Sequence, residues 1–195
     1  MDRKQAVARI EAEIAESCRV KQQFSRELKA QIADLAERIA STLVAGGTIY
    51  WIGNGGSAAD AQHLAGELVG RLRRARKALA SVALTTNTSL LTSIANDDSY
   101  EEVFSRQVEA LLRPVDLLVA ISTSGKSESI LKAVAAANAC GAFTVGWTGE
   151  TGGALEKIAK LCLCIPSRDT QRIQESHITI GHIVCGIVED MLVPE

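Results

Sequence analysis

Aromatic residues are scarce in this chain, at 4% of the total. Any core must be built from Ala, Ile, Leu and Val, a composition that favours helices packed on a parallel sheet. No apolar run approaches the ~20 residues needed to cross a bilayer. The charged stretch Met1 to Arg9 lacks the apolar core of a signal peptide. A cytoplasmic protein without membrane contact is therefore expected. The net charge is −2, so there is no overall field suited to nucleic acid. The five cysteines, Cys18, Cys140, Cys162, Cys164 and Cys185, include no C-x-x-C pair. That argues against a disulfide framework or a structural zinc site and for reduced structural thiols, with Cys162 and Cys164 on one face of a strand. No repeat, linker or low-complexity segment is visible.

What is present is ample apolar content, 47% of 195 residues, enough to bury one domain and to argue against disorder. The first 45 or so residues carry Ile10, Ile14, Val20, Phe24, Leu28, Ile32, Leu35 and Ile39 at helical spacing. They read as one or two amphipathic helices, a helical extension (residues 1–45) expected to bury its apolar stripe against another protomer. From Thr48 onward strands alternate with helices. The strands are Thr48 to Gly53, Ser81 to Leu84, Asp116 to Ile121, Phe143 to Trp147 and Leu161 to Ile165. The helices are Ser57 to Gly70, Leu90 to Ala95, Glu101 to Leu111, Ser127 to Cys140, Ala154 to Lys160 and Thr170 to Leu192. This pattern predicts an α/β fold, a five-stranded parallel doubly wound sheet in a single domain spanning 1–195, with ligands at the carboxyl ends of the strands.

The densest chemistry lies in Ile121-Ser122-Thr123-Ser124-Gly125-Lys126-Ser127. An apolar run precedes it and a helix follows it. Hydroxyls, one glycine and a helix N-terminus in one strand-to-helix turn are how a protein grips a phosphate. Read from Ala120, the same residues are one glycine short of a nucleotide-binding P-loop, G-x-x-x-x-G-K-[ST]. A P-loop enzyme also needs a carboxylate ending another buried strand to hold Mg²⁺. The other strands end in Gly53-Asn54, Leu84-Thr85, Trp147-Thr148 and Pro166-Ser167. The third alternative is a serine-rich turn with an N-cap and no ligand.

The first strand ends in Gly53-Asn54-Gly55-Gly56-Ser57. Alone this is a plain tight turn; beside a second phosphate-like turn in one sheet it suggests a cradle for a phosphorylated small molecule. His63 and Glu67 follow at i, i+4 and share a helix face, which an ordinary helical contact also explains. On the closing helix, Gln174 and His182 lie about 80° apart, His177 and His182 about 140°, and Glu175 and His182 about 20°. Gln174 and His182 therefore share one side, His177 does not, and Glu175 stays open. The run Arg71-Leu72-Arg73-Arg74-Ala75-Arg76-Lys77 reads as a solvated loop, with a cation reaching a neighbouring protomer or an acidic partner as alternatives.

The set G-N-G-G-S, H-x-x-x-E, N-D, S-T-S-G-x-S and R-I-Q-E-x-H-x-x-x-x-H closely resembles the phosphoheptose isomerases of the sugar-isomerase (SIS) superfamily, over nearly the whole chain. The resemblance implies a flavodoxin-like SIS domain and a reaction converting sedoheptulose 7-phosphate to D-glycero-D-manno-heptose 7-phosphate, toward the heptose of lipopolysaccharide core. It implies that Ser122, Thr123, Ser124 and Ser127 hold the phosphate, and that Asn54, Gly55 and Gly56 line the sugar with Asn96 and Asp97 nearby. His63, Glu67 and Gln174 would also stand against the substrate. His63, Glu67, Gln174 and His182 would form a zinc site, one ion per subunit, with Glu67 and His182 as the acid/base pair. A homotetramer with active sites at protomer interfaces is implied too. The alternative within the superfamily is a non-catalytic binding protein, either a replication-initiator partner or a sugar-phosphate sensor.

Overall fold

The computed structural model describes residues 1–193. Helices α1 (Arg3–Gln22) and α2 (Arg26–Val44) precede strand β1 (Ile49–Gly53). Then follow α3 (Gly56–Val69), β2 (Ser81–Ala83), α4 (Thr88–Asp97), a 3₁₀ turn (Tyr100–Glu102) and α5 (Ser105–Leu111). The chain continues through β3 (Leu117–Ile121), α6 (Glu128–Ala139), β4 (Phe143–Thr148), α7 (Leu155–Ile158), β5 (Leu161–Cys164) and α8 (Thr170–Leu192). All strand pairs are parallel, in the order β2-β1-β3-β4-β5. This is the doubly wound sheet expected from the alternation. Its order reverses between β1 and β3, which opens a crevice at their carboxyl ends.

Alternation along the strands builds two cores. Ile49 and Trp51 of β1 and Leu117, Val119 and Ile121 of β3 belong to the layer shared with α2, α3 and α8. Tyr50, Ile52, Leu118 and Ala120 belong to the layer of α5 and α6. Trp51 and Trp147 stack edge-to-face at 5.9 Å between ring centroids, and the Trp51 indole N–H donates to Ser81 Oγ. Both tryptophans are thus spent at the sheet's centre.

The N-terminal stripe behaves differently from the sequence expectation. Val20, Phe24, Leu28, Ile32, Leu35 and Ile39 are buried in this chain's own core, so α2 is a layer of the fold. Of the stripe only Ile10 and Ile14, in the first two-thirds of α1, stand exposed, with Val7 beside them. Arg172 of α8 ties α1 down by donating to the Glu13 carbonyl at 2.6 Å. The five cysteines are free thiols, and Cys162 and Cys164 do share a face, their sulfurs 3.9 Å apart. Among the described residues, no helix is long and apolar enough to cross a membrane.

Candidate active site

Two turns meet at the crevice. After β1, Gly55 takes φ +55°, a left-handed conformation that a side chain disfavours. A Cβ on Gly53 would stand 2.4 Å from the Ser57 carbonyl oxygen, so the strand passes into α3 with no room for a larger residue. After β3, Gly125 takes φ +62°, and a Cβ there would sit 2.1 Å from the Gly152 carbonyl oxygen. The phosphate-type turn is thereby pressed against the loop that follows β4. Ser122 Oγ and Ser127 Oγ lie 3.5 Å apart, and Ser124 Oγ accepts from the Lys126 N–H. A cavity of about 270 Å³ beside the turn is lined by Thr123, Ser124, Lys126, Arg168 and Thr170 among others.

Helix caps distinguish the crevice from the rest of the fold. Among the described helices of eight residues or more, α1, α2, α4 and α8 are closed by the side chains of Asp2, Ser25, Asn87 and Asp169. Helices α3 and α6 receive no side-chain cap, although Ser127 occupies the N-cap of α6. Their first N–H groups, and the positive ends of their dipoles, face the carboxyl ends of β1 and β3.

The acid/base candidates come together through helix packing. Helices α3 and α8 run side by side, and a Cβ on Gly181 would lie 2.4 Å from Leu64. The bare backbone at Gly181 lets the helices close up. The next residues on each, His63 and His182, then meet with their Nε2 atoms 2.8 Å apart. Glu67 Oε1 lies 3.1 Å from His63 Nε2 and 4.0 Å from His182 Nε2. Two nitrogens and an oxygen thus converge within 4.8 Å of one another. Ligands about 2.0–2.1 Å from a tetrahedral zinc stand roughly 3.4 Å apart, within the spread seen here. The donor set fits a divalent ion of zinc type. Gln174 lies nearer the start of α3. A Cβ on Gly56 would stand 2.5 Å from its Nε2, whereas His63 and Glu67 sit two and three turns further along.

The remaining candidates separate. Asn96 Nδ2 donates to Asp97 Oδ1 at 2.8 Å, both exposed at the end of α4. His177 is fully buried against Trp147, its Nε2 3.2 Å from the Thr148 carbonyl oxygen. Burial pushes its imidazole down to about 4, partly opposed by that hydrogen bond, and it takes no part in the site. Glu175 pairs with Arg172 at 3.0 Å and lines a groove with Glu13 and Ile14 of α1, away from His182.

Three features escaped the sequence reading. Tyr100 donates from its hydroxyl to Asn54 Oδ1, a contact no local motif announces. Asp60, one turn before His63, has a buried Oδ2 with no partner. Burial raises it to about 6, against the lowering pull of His63. The basic run is also more than a solvated loop. Arg76 and Glu189 form an ion pair at 3.0 Å with both side chains 2% exposed. Glu189 further accepts from the backbone N–H groups of Leu72, Arg73 and Arg74. Arg76 donates to the carbonyls of Glu67 and Leu68. Burial pushes the Glu189 carboxyl up, but those three N–H bonds and Arg76 outweigh it and hold it below its usual range.

Residues 14–149 match the family model described as SIS domain. With the parallel sheet and the hydroxyl-rich turn at its switch point, this makes the chain a SIS-domain protein. A phosphoheptose isomerase of Roseiflexus is 52% identical over 94% of this chain and 93% of its own length. The solved phosphoheptose isomerase of Neisseria gonorrhoeae is 42% identical, with a TM-score of 0.90 over 95% of this chain and 99% of that one. That of Francisella tularensis is 32% identical, with a TM-score of 0.91 over 95% and 98%. The chain belongs to the phosphoheptose isomerases.

Proposed function

We propose that this protein interconverts sedoheptulose 7-phosphate and D-glycero-D-manno-heptose 7-phosphate by acid/base chemistry through an enediol. The observation that carries the reading is the convergence of Glu67 and His182, 4.0 Å apart, from two helices beside a phosphate-type turn. Ser122, Thr123, Ser124 and Ser127 hold the phosphate, helped by the open N-terminus of α6. Asn54, Gly55, Gly56 and Gln174 line the sugar, with Asn96 and Asp97 nearby.

Moving a carbonyl one carbon along a sugar requires a proton taken from one carbon and returned to its neighbour. Glu67 is the carbon base, its carboxylate 17% exposed and so partly shielded from water. His182 exchanges protons with the two oxygens. His63, Glu67 and His182 would hold zinc, one ion per subunit, while Gln174 stays at the start of α3. Such an ion polarises a carbonyl and stabilises charge on the adjacent oxygens. The exposed Val7, Ile10 and Ile14 of α1 support assembly into a homotetramer. The product would supply the heptose of lipopolysaccharide core in the cytoplasm.

Incubation with sedoheptulose 7-phosphate, followed by detection of the aldose, tests the reading. Absence of turnover by the wild type would favour a non-catalytic sugar-phosphate binder instead. Unchanged turnover in Glu67→Gln would sink the mechanism. Metal analysis of untagged protein, with activity and melting temperature compared before and after chelation, tests the zinc.

A further inference from the structure

The tip of β1 is held by a residue outside every motif in the sequence. Tyr100 stands on the 3₁₀ turn between α4 and α5, and its hydroxyl donates to Asn54 Oδ1 at 2.8 Å. Asn54 Nδ2 in turn donates to Ser129 Oγ at 3.0 Å. Ser129 is buried in the first turn of α6. Three segments therefore meet on one amide: the 3₁₀ turn, the β1 turn and the start of the helix behind the phosphate-type turn.

The support for Tyr100 is itself fixed. Lys132 of α6 pairs with Glu101 at 2.8 Å and with Glu102 at 2.6 Å. Ser99 Oγ caps the turn by accepting from the Glu101 N–H. The phenol is not there to fill the core, since Tyr100 is 56% exposed while Val103 and Phe104 just after it are buried. What fixes its place is the hydroxyl. An asparagine amide offers two N–H donors and one oxygen with two lone pairs. Tyr100 and Ser129 occupy opposite ends of it, so turning the amide plane breaks both bonds. One N–H and one lone pair remain for a further partner.

We propose that Tyr100 is a positioning residue that locks the Asn54 amide for recognition of the sugar hydroxyls, an inference that rests on the sugar-phosphate reading of the site. It acts on affinity for the polyhydroxylated chain and not on proton transfer, since neither Tyr100 nor Asn54 touches Glu67 or His182.

The experiment compares wild type, Tyr100→Phe, Asn54→Ala and the double variant. It reads calorimetric affinity for sedoheptulose 7-phosphate, KM, kcat and melting temperature. Tyr100→Phe keeps the ring and removes the hydroxyl. Affinity and KM are expected to worsen about fivefold, the worth of one neutral hydrogen bond, with kcat within about twofold and the melting temperature unmoved. In the Asn54→Ala background the same change is expected to have no further effect. Unchanged affinity in Tyr100→Phe overturns the proposal. So does an equal loss in both backgrounds, which would mean that Tyr100 acts without Asn54, or a parallel fall of kcat and melting temperature, which would make the contact merely structural. A wild type that binds the sugar phosphate without turning it over refutes the isomerase reading and leaves the Tyr100 comparison intact. A wild type that binds none refutes both.

Discussion

Arg76→Ala is expected to destabilise the fold by about 3–5 kcal/mol, the cost of breaking a buried, hydrogen-bonded charge pair. The guanidinium is 2% exposed and lies 3.0 Å from Glu189. It also donates to the Leu68 and Glu67 carbonyls at 2.7 and 2.8 Å. Truncation leaves a buried carboxylate short of its counter-charge, removes the side-chain donor to the Glu67 carbonyl, and leaves the Leu68 carbonyl with only the Leu79 N–H. At fixed protein concentration, the melting temperature is expected to fall on the order of 10 °C. The urea midpoint is expected to fall with the slope unchanged. Arg71→Ala, at an exposed position of the same loop, is expected to stay within about 0.5 kcal/mol. A simple buried pair is often replaced by apolar residues without loss. Here Arg76→Met with Glu189→Leu is not expected to recover stability, because the N–H groups of Leu72, Arg73 and Arg74 also bond Glu189. A loss below about 1 kcal/mol in Arg76→Ala, the worth of a surface ion pair, would refute the reasoning.

Acid stability depends on His177, whose ordinary value of 6.5 falls to about 4 on burial. The unfolded chain takes up that proton first, so stability falls as pH drops from 6.5 to 4 and this contribution levels off below. The loss is about 3 kcal/mol, and a His177→Gln variant with the same pH dependence as wild type would refute it. Gly56→Ala is expected to displace the Gln174 amide, 2.5 Å from the new Cβ. Turnover efficiency should drop about tenfold or more with little change in melting temperature, because a small misplacement in a site costs heavily; equal activity would show that Gln174 is dispensable. Ser127 makes no side-chain cap bond, so Ser127→Ala should escape the usual penalty of about 1 kcal/mol while raising KM. A large melting shift with unchanged KM would count against a phosphate role.

The strands were readable because each is an apolar run between turn residues, and all five begin and end within one residue of expectation. Local pattern fails where the structure answers to distant contacts. The sequence reading joined Glu101 to Leu111 in one helix. The structure breaks it into the 3₁₀ turn and α5, which lets Lys132 seize Glu101 and Glu102. Helix α7 is only Leu155–Ile158, because Ala159 turns to an extended conformation before β5. The meeting of His63 with His182 was implied by the resemblance alone, and the reason for it, Gly181 against Leu64, lies between two helices. Arg76 with Glu189 and Tyr100 with Asn54 are separated by 113 and 46 positions, and no periodicity links such pairs.

The missing side-chain caps of α3 and α6 leave two helix ends that a bound anion would complete. An anion at the switch point would terminate two helices that the chain does not terminate with its own side chains. Ligand concentration then becomes a folding variable. At a hundred times its dissociation constant, a bound anion adds about 2.7 kcal/mol to the native state. A titration of melting temperature with inorganic phosphate would read the occupancy of the crevice with no chemistry taking place.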